Sequence, residues 1–276
     1  MRGVSRPLHS VQREITLRQL EVSTTKCAFW RVSGELFHTL VGQSRTLSLA
    51  WLPSGEDALL CGMEDGTVSL LCFTPHSRLR AIAFPAHTAP VECLAVPPRK
   101  ACFASGAHSE LFVWKRAAVL PHAFEEGQWT PHLDLGTPPQ TSQTQSQAVV
   151  VTSIHWSRLT LLVTYLHHGI IIYDSVNWTR LRAIPPHGCI ADASLSPDGS
   201  ILAISNIVSG FDIYAMDTGA SIGSLDNPST HAVRAVPVLF AHGGSAIIGG
   251  STIGVVNVWD GTTQRVQHKV KVAGEV

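Results

Sequence analysis

The chain has 276 residues, of which 14% are charged and 45% are apolar. An average soluble domain has roughly 25% charged residues, so this composition favours a fold that buries much of its surface. Twenty basic residues balance twenty acidic ones, which leaves no net field to attract nucleic acid or an anionic membrane. Apolar runs such as Ile170 to Tyr173 are far too short to span a membrane. We expect neither nucleic acid as a partner nor a membrane span.

The cysteine pattern indicates a reducing compartment. No two cysteines form a C-x-x-C pair, and most lie inside apolar, strand-like runs. Small buried thiols of this kind are typical of intracellular proteins, and no signal-peptide pattern is visible at the start of the chain. We therefore expect a cytoplasmic protein. The six cysteines are Cys27, Cys61, Cys72, Cys93, Cys102 and Cys189.

A short strand that ends in an aromatic or large apolar residue recurs along the chain. The end residues are separated by 41, 43, 59, 41 and 45 positions. A period of about 40–45 residues is typical of one propeller blade, and the long interval contains an insertion. The six strands are CAFW at 27–30, VSLL at 68–71, LFVW at 111–114, IIIY at 170–173, FDIY at 211–214 and VNVW at 256–259.

The order of elements within one period also repeats. Between Ile190 and Leu225, four short apolar runs are separated by turn signals, among them Ser196-Pro197-Asp198-Gly199 and Asp217-Thr218-Gly219. Connections this short leave no room for crossover helices, so an α/β fold is excluded. The pattern predicts an all-β chain of four-stranded meandering sheets.

Three motifs carry a resemblance to a known family. They are Ser196-Pro197-Asp198-Gly199, Asp65-Gly66-Thr67-Val68 and Trp259-Asp260. At this spacing they resemble the WD40 repeat, and the resemblance extends over nearly the whole chain. The stretches around Ser205-Asn206 and Gly210-Phe211-Asp212 are also similar to a group of uncharacterised fungal WD40 proteins. The resemblance implies a WD40-type β-propeller that displays loops for binding other proteins.

The family's hydrogen-bonded set within each blade is eroded here. In the resembled pattern, a His precedes the first strand, a Ser or Thr lies on the second, an Asp follows in the turn, and a Trp ends the third strand. His87 fits the His position, and Asp65 is the one Asp retained. We therefore expect cohesion mostly from apolar packing, with Trp114, Tyr173, Tyr214 and Trp259 as buried wedges. The Asp place in the other turns holds His108, His167, Val208 and Ile253.

Six recurring strands favour about six blades in a single propeller domain over residues 1–276. A seventh blade would need roughly forty more residues, although seven blades or an incomplete ring stay open. The first blade has a weak or missing innermost strand, because only Ile15 to Val22 precedes the CAFW strand as a candidate. The tail from Lys269 to Val276 is a candidate for closing the ring.

The insertion contains a polar stretch at residues 136–147. From Thr137 to Gln147 it consists of Thr, Pro, Gln and Ser with no hydrophobic residue. Such a segment cannot bury a core, so we expect a disordered loop. A neutral insertion and a partner-binding or phosphorylated loop both stay open.

No motif indicates catalysis or a cofactor. The fourteen histidines lack the tight spacing of a zinc site, and neither a G-x-S-x-G elbow nor a phosphate-binding loop is present. We expect no metal, no cofactor and no enzyme activity. We also expect the protein to be a monomer or a member of a complex.

Two alternatives stay open. The first is a propeller enzyme or small-ligand binder that uses the central channel, for which Glu92 and Asp192 are the main candidate residues. The second is a sensor propeller detached from a larger signalling or membrane protein.

The candidate protein-binding residues follow from the resemblance. In a propeller, the turns between second and third strands share a face with the links that lead into the first strands. An imidazole offers both a flat apolar surface and hydrogen-bonding atoms, and its charge changes near neutral pH. The alternative is that these histidines replace the lost Asp in packing between blades. The residues concerned are Asp65, His87, Thr88, His108, His167 and His168.

Overall fold

Almost all the regular structure of the described residues consists of β-strands. The computed structural model describes residues 15–20, 25–31, 33–53, 58–73, 79–98, 101–116, 129–185, 187–225 and 235–271. Within these ranges the only other element is one turn of 3-10 helix at His242–Gly244, and no helix there is long and apolar enough to cross a membrane. The chain forms two compact units, Met1–Asp134 and Leu135–Val276.

The first unit contains three antiparallel sheets, each with its strands in chain order. Sheet 1 has three strands: β1 (Ile15–Leu20), β2 (Lys26–Arg31) and β3 (Leu36–Val41). Sheet 2 has β4 (Thr46–Trp51), β5 (Ala58–Met63), β6 (Thr67–Phe73) and β7 (Leu79–Pro85). Sheet 3 has β8 (Cys93–Ala95), β9 (Cys102–Ala107), β10 (Glu110–Arg116) and β11 (Trp129–Asp134).

The second unit contains three four-stranded sheets of the same organisation. Sheet 4 has β12 (Val151–Ser157), β13 (Thr160–Tyr165), β14 (Gly169–Asp174) and β15 (Arg180–Ile184). Sheet 5 has β16 (Ile190–Leu195), β17 (Ile201–Asn206), β18 (Gly210–Ala215) and β19 (Ser221–Leu225). Sheet 6 has β20 (Val238–Ala241), β21 (Ala246–Gly249), β22 (Val255–Asp260) and β23 (Val266–Lys271).

These six sheets confirm the predicted fold class and are consistent with a WD40 β-propeller of about six blades. The predicted aromatic-ended segments form the third strand of sheets 2 to 6, and the CAFW segment forms the middle strand of sheet 1. Sheet 1 has three strands among the described residues, as its weak upstream pattern predicted. Residues 269–271 belong to β23, and the rest of the proposed closing tail lies outside the described residues.

In sheets 2 to 6 the second strand is mostly buried and the fourth strand is mostly exposed. Every residue of β5 and of β9 is buried, whereas every residue of β23 is exposed. A strand that is covered on both faces needs a continuous apolar run rather than an alternating one, which is the pattern of ALLCGM in β5. This double covering explains why the chain has so few charged residues.

The predicted wedge residues are buried, and three of them, Trp114, Tyr214 and Trp259, pack against adjacent sheets. Trp114, Tyr173, Tyr214 and Trp259 are between 1% and 4% exposed. The ring of Trp259 in sheet 6 packs edge-on against Phe211 in sheet 5, with centroids 5.4 Å apart. Ala203, Ile213 and Val238 belong to the same core cluster, so apolar packing joins these two sheets as expected.

Polar side chains also join the first strands of adjacent sheets. Nε2 of His155 lies 2.9 Å from the carbonyl oxygen of Ala193. Asp192 accepts a hydrogen bond from the Val238 amide at 3.0 Å. Burial raises the pKa of Asp192, and the amide donors oppose this shift. Cohesion between sheets is therefore less exclusively apolar than the sequence suggested. Corresponding bonds run from Ser48 Oγ to the Val91 carbonyl oxygen and from the Phe240 amide to Ser194 Oγ.

The polar segment 136–147 contains a series of turns. The Thr144 and Gln145 amides donate to the carbonyl oxygen of Thr141, and the Gln147 amide donates to that of Thr144. The Thr141 amide donates to Oγ1 of Thr144 at 2.9 Å. These bonds lie within the segment, and disorder of the segment in solution stays a prediction. The earlier part of the insertion, residues 117–128, lies outside the described residues.

Candidate functional site

A buried hydrogen-bond chain crosses sheet 3. Nδ1 of His87 lies 2.9 Å from Oε2 of Glu110, and Nε2 of His87 lies 2.7 Å from Oγ of Ser105. The indole N–H of Trp114 donates to the same Oγ at 2.8 Å. The His87 side chain has no exposed surface, and its ring stacks on Phe112 with centroids 4.9 Å apart. Both ring nitrogens of His87 therefore have partners inside the protein.

Glu110 also fixes the link that precedes sheet 3. It accepts hydrogen bonds from the amide of Thr88 at 3.1 Å and from the Thr88 hydroxyl. Burial raises the pKa of Glu110, but the bonds from Thr88 and His87 outweigh it and leave the pKa below its usual value. Burial lowers the pKa of His87 despite the adjacent carboxylate. These contacts hold the His87 side chain inside the protein, whereas Thr88 is exposed with its amide and hydroxyl bonded to Glu110.

His108, which lies in the Asp place of this blade, does not supply the partner of His87. Glu110, the first residue of β10, makes the carboxylate contact with His87. His108 lies two positions earlier, in the turn that joins β9 to β10, and it is exposed with a φ of 48°. The repeat pattern predicts an acidic residue in the turn itself, whereas here the carboxylate comes from the first residue of the following strand.

Asp65 stabilises its own turn. Its Oδ1 accepts hydrogen bonds from the amide of Thr67 at 3.0 Å and from the hydroxyl of Thr67 at 2.6 Å. The next residue, Gly66, accepts main-chain hydrogen bonds from the amides of Ala86 and His87 at 3.1 and 2.9 Å. The turn between β5 and β6 therefore lies against the link into sheet 3.

The second unit repeats this arrangement between sheets 4 and 5. The Ile190 amide donates to the carbonyl oxygen of Leu166 at 2.9 Å, and Sγ of Cys189 lies 3.4 Å from Nδ1 of His167. The turn between β13 and β14, which carries His167 and His168, thus lies against the link into β16. The candidate residues fall into two groups, one in each unit: Asp65, His87, Thr88 and His108 in the first, and His167 and His168 in the second.

His167 and His168 border a groove in the second unit that sequence reasoning did not identify. The groove has a volume of about 610 Å³, within the range of roughly 300–1,000 Å³ for small-ligand sites. One wall is the polar turn segment and the other is the end of β15 with the link that follows it. None of the lining residues is acidic, lysine or arginine. They are Pro139, Thr141, Ser142, Gln143, Thr144, Gln147, His167, His168, Ala183, Ile184, Pro185, His187 and Gly188.

His168 is a buried imidazole beside this groove, with 6% of its surface exposed. Burial and the adjacent His167 lower its pKa, and a hydrogen bond with the Thr144 backbone opposes this shift. His187, on the opposite wall, stacks on Tyr214 with centroids 6.1 Å apart. The two prolines and Ile184 add apolar surface to this imidazole-rich site.

The described residues contain no group of three or more His, Cys, Asp or Glu side chains that could hold a metal ion. Of the two carboxylates considered for a channel site, Glu92 is exposed and Asp192 accepts the Val238 amide. Cys61, Cys93 and Cys102 are buried, Cys72 and Cys189 are half-buried, and the side chain of Cys27 lies outside the described residues.

Comparison with known proteins identifies the repeat that contains the His87 network. Residues 73–115 match the family model of the WD domain, G-beta repeat. The chain carries a WD40 repeat. The matched residues include His87, Ser105, Glu110 and Trp114, so the hydrogen-bond chain lies inside the recognised WD40 repeat. The repeat and the four-stranded sheets confirm the WD40 resemblance. No curated protein matches the chain.

Proposed function

We propose that this WD40 protein is a non-catalytic scaffold or substrate receptor that binds a segment of another protein in the groove beside His167 and His168. WD40 repeats generally indicate protein-interaction scaffolds, and the family is typically non-catalytic. The observation that carries the proposal is the groove of about 610 Å³. Rigid strands flank the groove, while loops and turns supply its polar groups, as in many binding sites.

In the first unit, fewer candidate residues can contact a partner than the sequence predicts. His87 is buried and is therefore not available to a partner. Thr88, His108 and Asp65 are exposed and remain candidates for peripheral contacts, although the Thr88 hydroxyl already donates to Glu110. The cytoplasm is the proposed compartment, and the chain acts there as a monomer or within a complex.

Site-specific photo-crosslinking tests the proposal. A benzophenone amino acid placed at His167 should form an adduct with a defined partner protein, which mass spectrometry identifies. The matched position is Thr218, which is exposed in the turn between β18 and β19 and lies outside the residues that line the groove. We expect adducts from position 167 and none of the same identity from position 218.

A groove-filling variant provides the control. Ala183→Trp adds an indole to an exposed groove position, and Ser224→Trp adds one at the corresponding exposed position of β19. The crosslinked adduct should disappear in the Ala183→Trp variant and persist in the Ser224→Trp variant. If Thr218 captures the partner and His167 does not, the binding site lies elsewhere. Adducts that survive Ala183→Trp would also contradict the proposal.

A further inference from the structure

A second cleft, of about 680 Å³, lies between sheets 4 and 5 in the second unit. Its volume is within the range of roughly 300–1,000 Å³ for small-ligand sites. The cleft lies at the turn before β13, whereas the groove beside His167 lies at the turn after this strand. β13 has six residues, and a strand rises about 3.3 Å per residue. The length of one strand therefore separates the two sites.

Contacts between the two sheets bound this cleft on two sides. Nη1 of Arg182 on β15 donates to the carbonyl oxygens of Met216 and Asp217 at 3.2 and 2.8 Å. At the opposite edge of sheet 4, the end of β12 meets the turn after β16, where a Cβ on Gly199 would collide with Oγ of Ser157. The walls of the cleft are therefore held in place without a ligand.

Apolar side chains from both sheets line the cleft. Leu162 on β13 and Ile172 on β14 are buried, and the half-buried Leu195 and Met216 pack against the same core cluster. At the rim, Leu181 exposes 56% of its surface. An aliphatic group placed here would remove apolar surface from water, which favours binding.

Ionic groups of opposite sign flank this apolar surface. Arg158, in the turn before β13, is exposed, and no other described residue pairs with its guanidinium group. Asp198, in the turn after β16, accepts hydrogen bonds from the Ser196 hydroxyl and from the amide and hydroxyl of Ser200. These bonds lower the pKa of Asp198 to about 2, so its carboxylate is ionised at neutral pH. An ionised carboxylate has about four acceptor positions, so one stays available for a ligand.

The cleft carries as many positive as negative groups, since Arg182 and Asp217 add one charge of each sign to its lining. A ligand with a single charge would find an ionic partner for itself but would cover groups of its own sign and displace their water. A zwitterion pairs with groups of both signs. We propose that the cleft binds a small zwitterion with an aliphatic side chain, either a free amino acid such as leucine or a dipeptide of such residues.

Each part of this ligand has a partner in the cleft. Arg158 binds the carboxylate group, and Asp198 binds the ammonium group. The aliphatic side chain lies on the apolar surface around Leu195 and Met216. The site is separate from the groove beside His167, so binding here does not depend on the proposed protein-binding function.

The methyl group of Met216 reports on occupancy of the cleft. The chain contains three methionines. Met216 lines the cleft, whereas Met63 lies in the core formed by sheets 1 and 2 and serves as the internal control. Nuclear magnetic resonance of the protein with ¹³C-labelled methionine methyl groups gives one signal for each, and the Met216 signal is assigned by its loss in Met216→Leu.

Five probes separate the parts of the ligand. Leucine and leucyl-leucine carry both ionic groups, N-acetyl-leucine lacks the ammonium group, leucinamide lacks the carboxylate, and glycine lacks the side chain. The titrations are run at pH 6.5, where α-amino groups with pKa values of about 7.7–8.0 are mostly protonated. Leucine or leucyl-leucine should shift the Met216 signal saturably, with Kd of about 1 mM or weaker for so small a ligand, and the Met63 signal should not move.

The three incomplete probes should bind at least about tenfold more weakly than the better of the two zwitterions. Equal binding of N-acetyl-leucine or of leucinamide would overturn the proposed ion pairs. Equal binding of glycine would overturn the role of the apolar surface, and no shift of Met216 with any probe would overturn the site itself. The tighter of the two zwitterions shows whether the ligand is a free amino acid or a dipeptide.

Substitutions of the two rim groups test their roles separately. Arg158→Asn removes the guanidinium group and retains a residue that tolerates the φ of 38° at this position. It should weaken leucine binding about tenfold while leaving the weak binding of leucinamide unchanged. Asp198→Asn should weaken leucine in the same way and leave N-acetyl-leucine unchanged. The matched control is Arg180→Asn, an exposed arginine of β15 outside the cleft lining.

An equal loss of leucine binding in Arg180→Asn and Arg158→Asn would overturn the assignment of the carboxylate to Arg158. Unchanged leucine binding in Arg158→Asn would do the same. If Asp198→Asn fails to fold because the turn after β16 loses its hydrogen bonds, the comparison of leucine with N-acetyl-leucine on the unsubstituted protein still tests the ammonium contact.

Discussion

Nδ1 of His87 lies 2.9 Å from Oε2 of Glu110, and this pair joins the link before sheet 3 to its third strand. The contact closes a chain of hydrogen bonds that runs through Ser105 to Trp114. Removing one member leaves the others buried with unmet hydrogen-bonding atoms, so the network should behave as a unit.

Glu110→Ala should therefore destabilise the protein by about 1–3 kcal/mol, the range for a buried polar group that loses its partner. Chemical denaturation measures the loss. His108→Asn, two positions earlier in an exposed turn, should change the unfolding free energy by no more than about 0.5 kcal/mol, since Asn tolerates a positive φ. Equal effects of the two substitutions would mean that the Glu110 contact contributes nothing.

Position 66 requires a glycine for two reasons, namely its backbone conformation and the atoms packed around it. Its φ is +86°, and a Cβ there would collide with the carbonyl oxygen of His87. Gly34 has the same φ of +86° with no atom within 4 Å of such a Cβ. Gly34→Ala should cost about 1–2 kcal/mol for the left-handed backbone alone. Gly66→Ala should cost a further 1–3 kcal/mol, roughly, from overpacking. Equal thermal unfolding shifts for the two would exclude the collision.

Substitution of Trp259 tests how much the apolar packing between sheets 5 and 6 contributes to stability. It is 1% exposed and packs on Phe211, whereas Trp51 is 40% exposed. Trp259→Ala should lower the unfolding free energy by roughly 3–5 kcal/mol, the range for large aromatic deletions in cores. Trp51→Ala serves as the size-matched control and should have a clearly smaller effect. A Trp259 variant that melts within about a degree of the parent would refute its role as a wedge.

The fold could be predicted from the sequence because its signals are local and repeated. Strand length, turn residues and the 41–45-residue spacing each recur several times, so one eroded copy does not conceal the pattern. Burial of Tyr214 and Trp259 followed from their place at the end of a third strand. The repeat pattern and the burial of these two aromatic residues both depend on residues that are close together in the chain.

The site was harder to predict from the sequence because it depends on pairs of residues that are far apart along the chain. The Glu110 carboxylate meets His87 across 23 positions, and nothing local distinguishes it from an ordinary strand-end acid. The groove brings Thr141 and Gln147 beside His187, although four strands separate them along the chain. The sequence indicated His167 and His168 as unusual turn residues, but the wall that encloses them was expected to be a disordered loop.

His155 should make stability depend on pH. Burial lowers its pKa from 6.5 to about 4, although the hydrogen bond with the Ala193 carbonyl opposes this shift. Between these values the unfolded chain binds a proton that the folded chain does not, so stability falls as pH falls through this window. The slope is up to roughly 1.4 kcal/mol per pH unit. His155→Gln keeps a donor for Ala193 but does not titrate, so the difference between the two denaturation profiles should follow this slope. A difference that is independent of pH would contradict the buried neutral state.

The polar segment from Thr137 to Gln147 should be dispensable for folding. The hydrogen bonds of its turns join residues of the segment to one another, and loop-closure entropy changes slowly with loop length. Replacing residues 140–147 with a shorter Gly-Ser linker should therefore change the unfolding free energy by about 1 kcal/mol at most. If the segment is disordered in solution, the amides of Thr144, Gln145 and Gln147 should exchange with solvent at nearly unprotected rates. Strong protection of these amides, or a large fall in the melting temperature after replacement, would show that the segment is packed structure.

The same replacement removes one wall of the groove, so it should also weaken the His167 crosslink, whereas a Gly-Ser replacement of the exposed Asp217-Thr218 turn should not.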